Sequence, residues 1–371
     1  MPDMPESTNR QIPRVTVVVV SYNTAALTQK CLDAVLKSTG VNLEILVADN
    51  CSTDRTLNQL RRKYGLRASK KRWQTWQETL HNADVIDTFP SVKVDVTAVS
   101  TVYAGEEAGH EIVLFPSDRN LGFGRANNLA AAGSAAEYVF FLNSDAFVQP
   151  STIKNLVKQF RRRPSKSTSV LARMQSRLDN VGIIAAELRN EDKSLQRQGG
   201  SLPTNWNVFL WATFLDDIPG LDRLPAYQHH LHDMRRLHRR PLAKVGWVGG
   251  TAMMISRSCI DEIGGFDSEI FMYGEDVDLC WRATLRHWDV ALSSKAKVTH
   301  LGSASAGHKA SIHGEISGLL YMWQKHRSPL DEWILRRILT IGLILRTIIF
   351  GILRRYGQQR TYQEALELVR Q

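Results

Sequence analysis

Tyr138-Val-Phe-Phe-Leu-Asn-Ser-Asp-Ala-Phe147 is an apolar run that breaks off at Asn143-Ser144-Asp145. A short unbroken run of aromatic and β-branched residues is what a strand buried on both faces of a parallel sheet requires. In an open α/β sheet, ligands collect outside the carboxyl ends of the strands. Asn143 and Asp145 stand at such an end and offer oxygen ligands of the kind Mg²⁺ or Mn²⁺ accepts. A polar strand end turning into a loop gives the same pattern, so the surrounding sequence has to choose.

Upstream, Val15-Thr-Val-Val-Val-Val20 is a second buried run, ending at Ser21-Tyr22-Asn23. Thr24 reads as the N-cap of a helix from about Ala25 to Ser38, with Leu27, Cys31 and Val35 on one stripe. Leu43 to Ala48 is the next strand, and it runs into Asp49. Strand, helix and strand in close succession predict a βαβ unit with parallel strands. An acid after the second strand is how nucleotide-binding α/β folds hold a ribose or base. The glycine-rich dinucleotide fingerprint is absent, which argues against a nicotinamide enzyme. After the strand Ile112 to Phe115 comes Asn120-Leu-Gly-Phe-Gly-Arg-Ala-Asn-Asn128, then an Ala-rich helix through Ala136. Gly122 and Gly124 let the backbone approach a ligand, the helix N-terminus favours an anion, and Arg125 adds a positive group.

The chain has 371 residues, 43% of them hydrophobic, with a net charge of +10. It can bury a sizeable core, and its field attracts anions: nucleic acid, an anionic membrane or phosphorylated substrates. Cys31, Cys51, Cys259 and Cys280 show no paired spacing, against a zinc site or disulfide framework and in favour of a reducing compartment. Met1 to Arg14 carries no apolar segment of signal-peptide type.

Further on, residues 58–110 read as an insertion with basic clusters near Trp73 and Trp76 and a strand or hairpin over Val92–Val102. A helix is expected after Pro150 to about Arg163, then a polar loop over 161–180, a strand over Val181–Leu188 and another over Gln196–Ser201. Residues 203–243, with His229, His230, His232 and many arginines, read as a basic lid or acceptor-side loop rather than a histidine metal site. Lys244–Ile255 reads as one strand with a glycine bend, Ser258 as the cap of a short helix, and Trp288–Leu292 and Lys297–His300 as two short strands. Phe271-Met-Tyr-Gly-Glu-Asp-Val-Asp-Leu-Cys-Trp-Arg282 crowds Glu275, Asp276 and Asp278 at a helix start. They complement the helix dipole, and crowded acids also supply a general base with a raised pKa.

Val17-Val-Val-Val-Ser-Tyr-Asn23, Val47-Ala-Asp-Asn-Cys-Ser-Thr-Asp54, Asn120 to Asn128 and Phe141-Leu-Asn-Ser-Asp145 stand in the order of the motifs of family 2 glycosyltransferases. The chain resembles that family over roughly residues 14–305, its bacterial rhamnosyltransferase-like and galactofuranosyltransferase-like members above all. The resemblance implies a GT-A fold: an α/β domain whose mostly parallel sheet is flanked by helices. It implies inverting transfer from a nucleotide-diphosphate sugar, with Mn²⁺ or Mg²⁺ as cofactor. It would give Asp49 the nucleobase, with Ser21, Tyr22 and Asn23 lining that pocket. Asn120, Gly122, Arg125 and Asn127 would border nucleotide and donor. Asp145 would be the metal- and diphosphate-binding acid, His300 would complete the metal site, and Asn143 stands where the family has its first acid. Of the Glu275-Asp276 pair the second would be the base.

The expected organisation is a lead-in over 1–13, the GT-A domain over 14–327 and a helical segment over 328–371. In the last, Ile338, Ile341, Leu345, Ile349, Ile352 and Leu353 share an apolar side that Arg346 interrupts. That suits a helix lying on a membrane surface or packed on the catalytic domain or a second copy. The expected partners are a sugar nucleotide and a glycan or polyprenyl-diphosphate acceptor, at the cytoplasmic face of the inner membrane, with no nucleic acid. A nucleotidyltransferase would want a triphosphate-binding Gly/Lys loop, which is absent. A basic, non-enzymatic nucleic-acid or membrane binder leaves the acids at strand and helix ends unexplained.

Overall fold

The computed structural model describes residues 12–67, 98–103, 109–161, 178, 180–302 and 308–370. The lead-in over 1–11, the basic Trp73–Trp76 region of the insertion and most of the polar loop after residue 161 lie outside the described residues.

The sheet is built around β1 (Arg14–Ser21), whose residues Val15, Val17, Val18 and Val19 are fully buried. Side chains buried on both faces force strands on either side, and β1 pairs in parallel with β2 (Asn42–Asp49) and β5 (Tyr138–Asn143). β2 pairs in parallel with β4 (Gly109–Pro116), and β3 (Ala98–Tyr103) closes that edge antiparallel. Beyond β5 the sheet turns mixed. β9 (Ala252–Ser256) runs antiparallel to both β5 and β7 (Val181–Arg189). β7 is parallel to β10 (Asp289–His300), which takes β6 (Ala146–Val148) and β8 (Leu242–Val245) antiparallel. The expected parallel sheet is therefore confined to the β4-β2-β1-β5 half plus the β7-β10 pair.

Helices cover the faces: α1 (Ala25–Val35), α2 (Thr56–Tyr64), α3 (Phe123–Ala132), α4 (Thr152–Phe160), α5 (Asn205–Ala212), α6 (Leu231–Leu237), α7 (Arg257–Ile263) and α8 (Glu275–Leu285). Several expectations change. Residues 203–243 are no plain loop, since α5, two 3₁₀ turns and α6 occupy them. Gln196–Ser201 makes only isolated bridges. Lys244–Ile255 divides into β8 and β9, which sit at different places in the sheet. Ser256, not Ser258, caps α7 by accepting from the Cys259 N–H. The two short strands ending at His300 are one strand with an irregularity between Ser293 and Lys297.

The C-terminal helices α9 (His308–His326), α10 (Pro329–Ile352) and α11 (Tyr356–Arg370) share a core with α5 around Trp323, Leu335, Leu339 and Leu343. The expected single apolar side of α10 is corrected: the helix has two. Leu335, Ile338, Leu339, Gly342, Leu343 and Arg346 face inward. Arg346 does not break that face; its guanidinium donates to the Ala212 and Trp211 carbonyls at the open end of α5 and lies 4.0 Å from the Phe214 ring centre. A buried cation is tolerated when hydrogen bonds and aromatic faces replace its water. The second apolar stripe, Leu330, Trp333, Ile341, Ile344, Ile348 and Ile352, is exposed at three- and four-residue spacing. Exposed Arg337 lies on it, and Arg354 and Arg355 end it. No helix among the described residues is long and apolar enough to cross a membrane.

Candidate active site

Register brings the strand ends level: Ser21 pairs with Asp49, and Val20 with Asn143. A cavity of about 480 Å³ opens there. The ends of β1, β2 and β5 and the turn before α3 supply Tyr22, Asn50, Asn120, Gly122, Asn143 and Asp145 to its lining, and later segments supply Tyr227, Gln228, Glu275, Asp276 and Glu315. Phe123 at the head of α3 donates its N–H to the Phe271 carbonyl, joining the earlier segments to the later ones. Gly122 (φ 79°) is required for that contact, because a Cβ there would lie 2.3 Å from the same carbonyl oxygen.

Asn50 organises the nucleotide side, and sequence reasoning passed over it. Its amide donates to Asn120 Oδ1 (2.9 Å) and the Gly122 carbonyl (3.1 Å) and accepts from the Leu121 N–H (2.8 Å). Asp49 is buried, with Oδ2 accepting from the Ser52 N–H and Oδ1 lacking any hydrogen-bond partner. Burial raises its pKa against the pull of Ser52. An orphan carboxylate oxygen is what a base or ribose donor would satisfy. Five expected residues do not line the cavity: Asp49, buried behind its rim, and four that are structural instead. Ser21 bonds Thr28 (2.8 Å) inside the β1–α1 turn. Asn23 Oδ1 accepts from the Thr53 and Asp54 N–H groups, tying the two strand ends together. Arg125 donates to the Ser268 carbonyl and pairs with Glu269. Asn127 donates to the Phe123 carbonyl within α3.

Asp145 and His300 meet because β6 pairs with β10 so that His300 stands opposite Ala146. Gln196 fixes the imidazole. Its Nε2 donates to the His300 carbonyl and to Asn190 Oδ1, both at 2.7 Å, so Oε1 accepts from His300 Nδ1 at 2.9 Å. His300 Nε2 then points its lone pair at Asp145 Oδ1, 3.4 Å away. A lone pair against a carboxylate is repulsive unless a proton or a cation lies between them. Asn143 Oδ1, in the same cavity, is buried without a partner. A carboxylate, an amide oxygen and an imidazole suit Mn²⁺ or a similar divalent ion. A second grouping stands apart from the cavity lining. Asp216 and Asp217, on a 3₁₀ turn, flank the His230 ring at 3.6 Å each, with ligand atoms within 4.8 Å. The acids missing from the histidine segment thus arrive from another turn, and the set fits an imidazolium between two carboxylates as well as it fits a cation.

The acids at the start of α8 divide by environment. Glu275 is buried with Oε2 unpartnered, and burial followed by repulsion from Asp276 pushes its pKa up to about 8. Asp276 Oδ2 accepts from the Gly250 N–H (3.1 Å) and Oδ1 from the Val277 N–H (2.8 Å). Burial raises its pKa against those bonds. Asp278 points away from the cavity. Burial opposes its charge, but His326, Arg282 and Lys325 outweigh it and hold the carboxyl well below the ordinary range. Asp278 therefore clamps α9 to α8.

Comparison with known proteins agrees with this geometry. Residues 68–313 match the model of the Glycosyltransferase like family 2, and residues 16–74 that of Glycosyl transferase family 2. An N-acetylglucosaminyl-diphospho-decaprenol L-rhamnosyltransferase of Mycobacterium tuberculosis is 27% identical over 248 residues, 62% of this chain and 73% of that protein. A chondroitin synthase of Escherichia coli is 24% identical over 156 residues, 42% of this chain and 16% of that one. The solved structure of a mannosyltransferase from Pyrobaculum calidifontis, in complex with GDP-Man and Mn²⁺, superposes with a TM-score of 0.52 at 16% identity, covering 97% of this chain and 87% of that one.

Asp278 offers a measurement independent of turnover. A carboxyl whose folded pKa is depressed contributes stability above its unfolded value of about 4 and loses it as pH falls below that. Asp278→Asn is expected to unfold more easily at pH 7 by about 3 kcal/mol in urea titration and to show a flatter loss of stability on acidification.

Proposed function

The chain belongs to glycosyltransferase family 2, and on that premise we propose that it is an inverting hexosyltransferase acting on a lipid-linked glycan acceptor at a membrane surface. One observation carries the reading: a single cavity is lined by the polar strand ends, the Asp145–His300 pair and Asp276.

Asp49, Asn120 and the backbone at Gly122 hold the nucleotide, with Asn50 fixing the loop that carries the last two. Asp145 and His300, with Asn143, would hold a divalent ion, which when bound offsets the charge of the diphosphate. The acceptor hydroxyl oxygen attacks the anomeric carbon while the bond from that carbon to the diphosphate oxygen breaks. Asp276 takes the hydroxyl proton, and the nucleoside diphosphate leaves with the bonding pair. The Gly250 N–H fixes the orientation of the Asp276 carboxylate. Glu275, its pKa raised to about 8, stays largely neutral near pH 7 and leaves its neighbour to carry the charge.

The mycobacterial relative favours rhamnose as the sugar and a polyprenyl-diphosphate carrier as the acceptor's anchor. The exposed stripe of α10 suits that acceptor: Trp333 and four isoleucines present an apolar surface, and Arg337, Arg354 and Arg355 match anionic headgroups. Four free cysteines fit the cytoplasmic face.

Asp276→Asn is expected to lower transfer by about 10²–10⁴-fold while sugar-nucleotide binding in calorimetry stays intact; full activity would remove Asp276 as the base. In a thermal-shift panel of sugar nucleotides, stabilisation of the wild type should need Mn²⁺ or Mg²⁺. Asp145→Ala should lose that metal-dependent increment and weaken donor binding at least about tenfold; unchanged affinity would take Asp145 out of the metal site. In co-sedimentation, the protein should bind phosphatidylglycerol vesicles more than phosphatidylcholine vesicles, and Ile344→Glu with Ile348→Glu should abolish binding. Equal binding by wild type and variant would assign the stripe to another partner, and a concentration-dependent dimer lost in the variant would assign it to a second copy.

A further inference from the structure

The family match ends at residue 313, yet the cavity does not. Helix α9 continues past that point and sends Glu315 into it, beside Asp276. Its approach is unusually close. A Cβ on Gly314 would lie 2.8 Å from the Met272 carbonyl oxygen, and one on Gly318 would lie 2.4 Å from that of Tyr273. Helix and loop can meet this way only with glycine at both positions, so the Gly314-Glu-Ile-Ser-Gly318 turn fixes Glu315 against the Met272–Tyr273 loop that leads into α8, where Glu275 and Asp276 stand. The Asp278 contacts to Lys325 and His326 lock the same two elements one step further along.

Gln228 donates from Nε2 to Glu315 Oε1 at 2.5 Å. The other titratable groups facing Glu315 are Asp276 on α8, Tyr227 beside Gln228, Tyr273 in the loop before α8, and Arg346 on α10. Burial raises the Glu315 pKa to about 7; Arg346 opposes this and Asp276 adds to it. A carboxyl near its midpoint can both donate to and accept from sugar hydroxyls. Its acidic neighbour in the cavity is Asp276, the group that takes the acceptor hydroxyl's proton, so a sugar that presents one hydroxyl to Asp276 brings its others toward Glu315. We infer that Glu315 is an acceptor-binding residue: held by Gln228, its carboxyl hydrogen-bonds hydroxyls of the acceptor sugar on the Asp276 side of the cavity. The segment beyond the family domain thereby selects the acceptor.

This inference rests on the glycosyltransferase reading, and the experiment separates the two. Steady-state kinetics use the full chain, the donor picked out by the thermal-shift panel, and N-acetylglucosaminyl-diphospho-decaprenol as acceptor probe. Glu315→Gln and Gln228→Leu should each raise the acceptor KM about tenfold or more, with donor KM and acceptor-independent donor hydrolysis within twofold of wild type. Glu315→Asp should fall between. Thermal midpoints near the wild-type value establish that the variants fold. An unchanged acceptor KM, or equal losses toward donor and acceptor, would overturn the acceptor role while leaving the transferase reading intact. A wild-type chain that binds no sugar nucleotide would overturn both.

Discussion

Three neighbouring strands with no solvent-facing side constrain everything else. β1 is paired in parallel on both edges, and β2, β1 and β5 are buried on both faces. Polar residues enter such strands at their ends or as buried hydrogen-bonded pairs, such as Thr16 with Glu44. Parallel pairing sets those ends side by side, so Asp49, Asn143 and Asp145 gather at one rim although about ninety residues of chain separate the first from the others. The crevice is a consequence of burial before it is a feature of catalysis.

The chemistry of the rim follows from unequal compensation of charge. Asp278 has two cationic partners, Arg282 and Lys325, and a hydrogen bond to His326, which together lower its pKa. Glu275 has no such partner, and burial together with the neighbouring Asp276 raises its pKa. Asp276 lies between these cases, with two backbone N–H groups supporting its charge against desolvation. Three acids within one helical turn thus take three roles. Gln196 holds His300 with Nε2 3.4 Å from Asp145 Oδ1, a contact that a proton or a cation between the two makes attractive.

The C-terminal helices complete the crevice from outside the family domain. Glycines 314 and 318 let α9 touch the loop before α8, Trp323 and Leu339 join α9 and α10 in one core, and Arg346 seals the open end of α5. The outer stripe of α10 is therefore mechanically continuous with the wall that carries Glu315. The stripe proposed to meet the bilayer and the side chain proposed to meet the acceptor belong to one packed unit.

The sequence alone determined the central strands β1, β2 and β5, the polar residues that end them and the order of the motifs, because a doubly buried strand and its abrupt polar end are local patterns. It also located Asp145, His300 and the Glu275-Asp276 pair. It could not say which polar side chains reach the cavity. Ser21, Asn23, Arg125 and Asn127 are consumed by bonds to neighbouring turns, whereas Asn50, Gln196 and Glu315 acquire roles from partners at least 70 residues away in the chain. Nor could helical periodicity divide α10, since a helix apolar on two sides carries no mark of which side is covered. Only the tertiary structure decided these points, because hydrogen-bond partnership and burial between distant segments are set by strand register and helix contact, and neither is encoded in local spacing.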